Sequence, residues 1–565
     1  MVSPFVLSNP LAASHGVSPR VPPTNRHAIL DALHMQSQIE RTPGVRDIVT
    51  RSAHALDLWL AANRRLYLAA ACLVCLVANL GYAHFRVITS DECLQMIVFR
   101  QPDIRAIWNS LVAGVQVDPP VADTAMHYLF RIFGDHLLLA RLPSVATFCL
   151  MCLCLSLIVW RYTGAIYGAA AFFMPFATVL RSWGSLSRPY APLLGFSSLA
   201  LLCWDTLQDT ELRHVTRWRV AYILSLAATF STHFYSISIL FPLALAELAK
   251  WRIRKRVDWP TLLCTAVALI PYFIWSPVLM ASARTFLPHP FPLPPFKALY
   301  EFYGDALFSL PWVGALLMML LAGAYSGLSN VDGQPRKQID PTVRPLMVFC
   351  AGCLLLPVCG AVSTAMKMSL YGPRMSLISL FGLVVGLPLV INLAGARKAV
   401  GLALFAAMAG NAAMVAAQGA MRLRSRETPY PVVAEFRRLI PETHPDIVIP
   451  ETNVFLPLVE TNRNDPENSL LYLFDTAKQL AVRGSDTPDV ASRIVQGRSR
   501  ARLLPFDPYL ATHSRFYLAL ATNVKDIDAW QFKYLLNQLH ATFRWLGTVE
   551  GWNVYSVDLG QRHAG

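Results

Sequence analysis

Two adjacent acids stand just after the first long apolar stretch, which ends at Phe85; they belong to the run Thr89-Ser90-Asp91-Glu92. A carboxylate held between hydrocarbon and water can be tuned by partial desolvation to act as a general base. An alcohol needs such a base, because it is a poor nucleophile at neutral pH. The same four residues also read as a capping box, in which Thr89 caps a helix and Glu92, at the third helical position, returns a hydrogen bond. The two readings are compatible: Glu92 shapes the turn while Asp91 faces a substrate. Asp91 and Glu92 are therefore the catalytic candidates.

Four further clusters could join them. Asp118-Pro119-Pro120 opens a helix behind a proline pair; Asp118 and the nearby Asp123 are candidate cavity acids. Ser187-Arg188-Pro189-Tyr190 puts a guanidinium at the start of an apolar run. There it can clamp a phosphate bidentately or snorkel to lipid headgroups. Thr232-His233-Phe234-Tyr235 carries a lone histidine, which fits a satisfied structural residue as well as a site residue. Lys367 precedes Tyr371-Gly372-Pro373-Arg374, again at the start of an apolar run. Arg188, Lys367 and Arg374 are expected to surround one external cavity as phosphate ligands, with Tyr190 and His233 as further wall candidates.

These clusters need elements to carry them, and composition says which. With 54% hydrophobic and only 15% charged residues in 565, and a mean hydropathy of +0.41, the chain cannot cover a soluble surface. The net charge of +14 sits mainly in short segments between apolar runs, such as Lys250-Trp251-Arg252-Ile253-Arg254-Lys255-Arg256. That is the positive-inside pattern of a membrane protein and not a nucleic-acid surface. The Cys-x-x-Cys spacings, Cys72/Cys75 and Cys149/Cys152 among them, fall inside apolar runs and read as small core residues.

A span takes about 20 apolar residues, and about eleven fit. They are expected near 66–86, 138–160, 165–181, 191–208, 220–232, 235–249, 259–280, 306–327, 345–365, 374–392 and 399–418. Basic residues flank both ends of 220–249, so that stretch is expected to turn back near Thr232-His233. An inside N-terminus then places the C-terminus outside. This divides the chain into a cytoplasmic tail (1–65), a transmembrane catalytic domain (66–420) whose first external loop is 87–137, and an extracytoplasmic α/β domain (421–565). Strand-like runs at Asp446 to Ile449, Phe516 to Leu520, Thr542 to Leu546 and Trp552 to Val557, with a helical stretch from Asp526 to Leu539, support the last assignment. The tail shows no cleavable signal peptide and is expected to be disordered at its start.

Taken in order, these pieces resemble bacterial members of the GT-C superfamily of membrane glycosyltransferases, relatives of the protein O-mannosyltransferases and of the lipid A aminoarabinose transferases. The resemblance covers about residues 66–420, with a family-like external domain behind. It rests on Asp91-Glu92 after the first span, Pro119-Pro120, Phe133-Gly134, Arg141-Leu142-Pro143-Ser144, Arg188-Pro189-Tyr190, Thr232-His233 and Arg374. It implies inverting transfer of a sugar from a polyprenyl-phosphate donor to a lipid, glycan or protein hydroxyl on the outer face of the cytoplasmic membrane. In that scheme Asp91 is the base, and Arg188, Lys367 and Arg374 bind the donor phosphate. Two departures stand out. Ala122-Asp123 replaces the usual aromatic pair, and Leu186 replaces the acid common two residues before Arg-Pro-Tyr. The loss of that acid counts against a divalent metal, the one cofactor the resemblance leaves open; Asp123 is the acid nearby that could compensate. A transporter or flippase for a lipid-linked substrate is the alternative. It would place charges on broken helices near the bilayer midplane and show internal repeats, whereas here the charges gather at span ends.

Overall fold

The computed structural model describes residues 45–209, 211–286, 295–307, 312, 316, 341–366, 376–393, 398–424, 430–483, 487–522 and 530–560. The chain divides into two compact units, Met1–Ser52 and Ala53–Gly565; the elements labelled below all lie in the second. Within the stretch read as a tail, Val45–Ala62 is helical.

Among the described residues, five helices are long and apolar enough to cross a membrane. Two of them are α1 (Arg64–Phe85) and α5 (Leu137–Thr163). Between them lie α2 (Ser90–Phe99), α3 (Ile104–Val112) and α4 (Pro120–Phe133). The stretch from Cys93 to Trp108 thus falls in two helices. Pro102 lies between them, and Asp103 caps α3 by accepting from the Ala106 amide at 2.8 Å. α4 starts at Pro120 and stops at Gly134, whose φ of +89° is costly for a residue with a Cβ.

Downstream come Ala165–Ala177, a shorter apolar helix, and α6 (Tyr190–Thr206). α7 (Val215–Phe230) and α8 (Leu240–Arg254) follow, separated by Ser231–His233 and a 3-10 turn, Phe234–Ile239. The chain reverses here. The C-terminal end of α8 meets the C-terminal end of α6, where the Trp204 indole donates to Glu247 (2.6 Å) and Arg254 donates to the Gln208 carbonyl (2.9 Å). The intervening turn lies at the other end of α6, with the His233 ring 5.1 Å from that of Tyr190.

Where a span is expected at 259–280, the structure has a pair of helices, Trp259–Ile274 and Ser276–Phe286, bent by 54°. Pro277 has no N–H for the Phe273 carbonyl, and the Ser276 hydroxyl donates to that carbonyl instead (2.7 Å). Arg344–Ala365, Ser379–Leu393 and Lys398–Arg424 complete the apolar helices used here. Most of the span expected at 306–327 lies outside the described residues. The pairs Cys72/Cys75 and Cys149/Cys152 pack between α1 and α5 with free thiols, Cys149 Sγ being 3.7 Å from the Cys72 carbonyl.

The C-terminal region forms a six-stranded sheet in the order β3-β2-β1-β4-β6-β5. The strands are β1 (Ile447–Val448), β2 (Leu470–Phe474), β3 (Arg502–Pro505), β4 (Arg515–Ala521), β5 (Thr542–Val549) and β6 (Trp552–Asp558). β3, β2, β1 and β4 run parallel, with Ile447 opposite both Leu470 and Tyr517; β4, β6 and β5 are antiparallel. β1, β4, β5 and β6 fall on the four strand-like runs, whereas β2 and β3 were not read as strands. α9 (Thr452–Thr461) packs against α2. Arg100 at the end of α2 ties the two regions together. It binds Asp135 through Nε (2.7 Å) and Nη2 (3.0 Å), and Glu460 through Nη1 (2.7 Å) and Nη2 (2.6 Å).

Candidate functional site

The exit of the first span is locked by a buried ion pair. Arg141 on α5 and Glu92 on α2 both have no side-chain exposure, and they meet through two 2.8 Å hydrogen bonds. Arg141 has five N–H donors. The other three reach the carbonyls of Ala83 (2.5 Å), Arg86 (2.7 Å) and Val87 (3.2 Å), the last turn of α1 and its exit. Glu92 in turn accepts from the Ser187 amide (2.7 Å) and the Thr89 amide (3.1 Å), and Thr89 Oγ1 accepts from the Glu92 amide (3.3 Å). The capping box is therefore present. With its oxygens taken up by donors, Glu92 has no room to accept a substrate proton. Of the two roles read for Glu92 from the sequence, these contacts fit the one that shapes the turn.

Locking Glu92 turns its neighbour the other way. The Asp91 side chain is 38% exposed, and its Oδ2 lies 3.9 Å from Arg188 Nη2. Arg188 comes from the turn before α6 and is buried. Its Nη1 donates to Gln116 Oε1 (2.7 Å), the Asp91 carbonyl (3.2 Å) and Gln95 Oε1 (3.4 Å). Its Nε is buried without a hydrogen-bond partner among the described residues, and its guanidinium lies 5.6 Å from the centre of the Tyr190 ring. Ser144 Oγ donates to the Arg188 carbonyl (3.2 Å), which fixes this turn against α5. Gln116 also donates to the Asp91 carbonyl (3.2 Å), so the loop after α3 closes over both residues.

Below this pair sit the other two acids. Asp123 is fully buried; its Oδ1 accepts from Gln95 Nε2 at 2.8 Å, while Oδ2 has no hydrogen-bond partner among the described residues. Burial, and then the neighbouring Asp118 charge, push its carboxyl up to about 8, against the opposing pull of Gln95 and Arg188. Burial thus favours the neutral form of Asp123. Asp118 Oδ1 lies 3.5 Å from His233 Nε2. His233 Nδ1 accepts from the Tyr235 amide (3.1 Å), so in the neutral ring the proton is on Nε2, facing Asp118. The His233 ring lies between those of Tyr190 (5.1 Å) and Tyr235 (4.9 Å).

The structure thus gathers Asp91, Asp118, Asp123, Arg188, Tyr190 and His233 at the ends of α2, α4 and α6 and the turn after α7. Lys367 and Arg374 lie outside the described residues. Gln95 and Gln116 belong to the cluster and were not singled out from the sequence. Gln95 had a signal, since it stands one helical turn after Asp91 on the same face; Gln116 had none. Arg141 was noticed as part of a motif, but not as the partner of Glu92. Among the described residues no group of three or more His, Cys, Asp or Glu side chains could hold a metal ion, and Leu186 is buried as an apolar side chain.

No protein-family model matches the chain, and no curated protein matches it significantly. Among solved structures, the chain is similar to the crystal structure of ArnT from Cupriavidus metallidurans bound to undecaprenyl phosphate. The likeness covers 88% of this chain and 98% of that one, at 13% sequence identity and a TM-score of 0.44.

Proposed function

We propose that the protein is a membrane glycosyltransferase of the GT-C type. It moves a sugar from a polyprenyl-phosphate donor to an acceptor hydroxyl at the outer face of the cytoplasmic membrane, with inversion and with Asp91 as general base. One observation carries the reading: a partly exposed carboxylate, Asp91, stands beside a buried arginine anchored through Nη1, whose Nε has no partner among the described residues. In the transfer, Asp91 takes the acceptor's hydroxyl proton as that oxygen bonds to the anomeric carbon. The bond from that carbon to the phosphate oxygen breaks, and its electron pair leaves with the phosphate. The Arg188 guanidinium meets the growing negative charge with Nε and Nη2.

Lys367 and Arg374 complete the phosphate site in this proposal, and Tyr190, His233 and Asp118 form its wall. The division at 65 and 420 and the extracytoplasmic sheet region belong to the same reading. The position of the charges favours it over a transporter. Asp91, Asp118, Arg188 and His233 all sit in loops or in the first turn of a helix and not in the middle of a long one.

The test is transfer by the purified protein in detergent with a polyprenyl-phosphate sugar. Asp91→Asn should keep donor binding and lose transfer by about 10²-fold or more, the scale of a general base. Transfer at the wild-type rate would remove Asp91 from this role.

A further inference from the structure

α2 has a second face. Asp91 and Gln95 share the side toward Arg188, whereas Cys93, Ile97 and Arg100, spaced by four and three, line another. That side forms one wall of a separate pocket of about 380 Å³. α9, the connection after it and the loop Gly497 to Ala501 form the rest. Four arginines, Arg100, Arg463, Arg498 and Arg500, and two acids, Glu460 and Asp465, line it. Both acids are already paired, Glu460 with Arg100 and Asp465 with Arg437. Arg463 pairs with Asp135.

Arg498 and Arg500 differ. Among the described residues neither guanidinium meets a carboxylate. Arg498 Nη1 donates to the Ile494 carbonyl (2.6 Å), and Arg500 Nη1 to the Arg463 carbonyl (2.9 Å). Each is thereby held in place by one of its five N–H donors, with the others left for a ligand. The lining carries two more positive than negative charges, which suits a dianion, and the planar fork matches phosphate oxygens. Cys93, Ile97 and Leu456 add an apolar wall for a carbon skeleton, in a volume of the size that takes small ligands.

We propose that this pocket binds a phosphate group, with Arg498 and Arg500 as its clamp, on the side of α2 away from the Arg188 cluster. The site does not depend on the role of Asp91. The phosphate belongs either to a soluble phosphate ester or to a phospholipid headgroup.

The purified full chain, labelled with phenylglyoxal and digested for mass spectrometry, tests this. In neutral detergent, inorganic phosphate should slow modification of Arg498 and Arg500 several-fold while leaving the exposed Arg493 unaffected. Phosphatidylglycerol nanodiscs in phosphate-free buffer, compared with phosphatidylcholine nanodiscs, form the second arm. Protection by dissolved phosphate assigns a soluble ester, and protection only in phosphatidylglycerol assigns a headgroup. Arg498→Lys should keep the melting temperature and lose protection of Arg500, and Arg500→Lys the converse. Equal labelling rates with and without both probes overturn the site, as does full protection of the remaining arginine in both variants.

Discussion

Glu92 and Arg141 illustrate how one contact can reassign a residue. The capping box alone would put the cost of Glu92→Gln at about 1 kcal/mol. Arg141, however, is fully buried, and among the described residues Glu92 is its only counter-charge within salt-bridge distance. Removing one partner of such a pair costs about 3–5 kcal/mol, because the other charge stays buried. Glu92→Gln and Arg141→Met should each destabilise by that amount, and the double variant by less than the sum. Equilibrium unfolding of all three variants in detergent checks it; a loss near the cap value in Glu92→Gln would leave the ion pair without weight. Asp123 gives a second residue-scale test. Its folded carboxyl titrates at about 8, above the ordinary range, so the folded state holds a proton that the unfolded chain gives up near pH 4. The stabilisation is full below about pH 4 and is lost as pH rises through about 8. Asp123→Asn, which cannot ionise, should flatten the fall in melting temperature between these limits. An unchanged pH profile would show that Asp123 is ionised in the folded protein.

At the scale of elements, α2 is the hinge of the arrangement. Its N-terminus is held by Arg141 and its C-terminus by Arg100, while the His127 ring on α4 meets the Phe99 carbonyl at 2.9 Å. Burial works against the Asp135 charge, but Arg100 and Arg463 outweigh it and hold its carboxyl below the usual range. The Arg100 joint therefore persists at neutral pH, and the stability it contributes is lost only as pH falls through that lowered value. Arg100→Met leaves Asp135 and Glu460 facing each other without their shared cation. Tryptic cleavage after Arg105, just past α2, should become several-fold faster in this variant, followed as band loss over time. An unchanged rate would mean that packing of α2 on α9 holds the loop without the joint.

For the whole molecule, the proposed topology makes the reversal between α7 and α8 set the parity of the chain across the membrane. One more or one fewer crossing would put the sheet region on the opposite side from Asp91. Topology reporters fused after Asp209 and after Lys255 should read inside, and those after Thr232 and after Gln418 outside. An inside reading after Gln418 would separate the sheet region from the cluster's side of the membrane and contradict the joint made by Arg100.

What the sequence determined by itself is carried by local or additive physics. Apolar length and composition marked the helices α1 and α5, loop charge marked the turn at Thr232-His233, and short strand-like runs marked β1, β4, β5 and β6. The Thr89–Glu92 cap was legible because its partners lie within one turn. The bend at Trp275 escaped, although Pro271 and Pro277 were in view, because a proline in an apolar run marks a kink without its angle. β2 and β3 also escaped; β2 is a continuous apolar run of five residues, which periodicity alone does not separate from a buried helical segment. Only the tertiary structure decided the rest. Arg141 reaches Glu92 across 49 positions and Gln95 reaches Asp123 across 28. No periodicity within a single element encodes such pairings. They arise because buried charges and amides must find partners, and packing determines which partners are within reach.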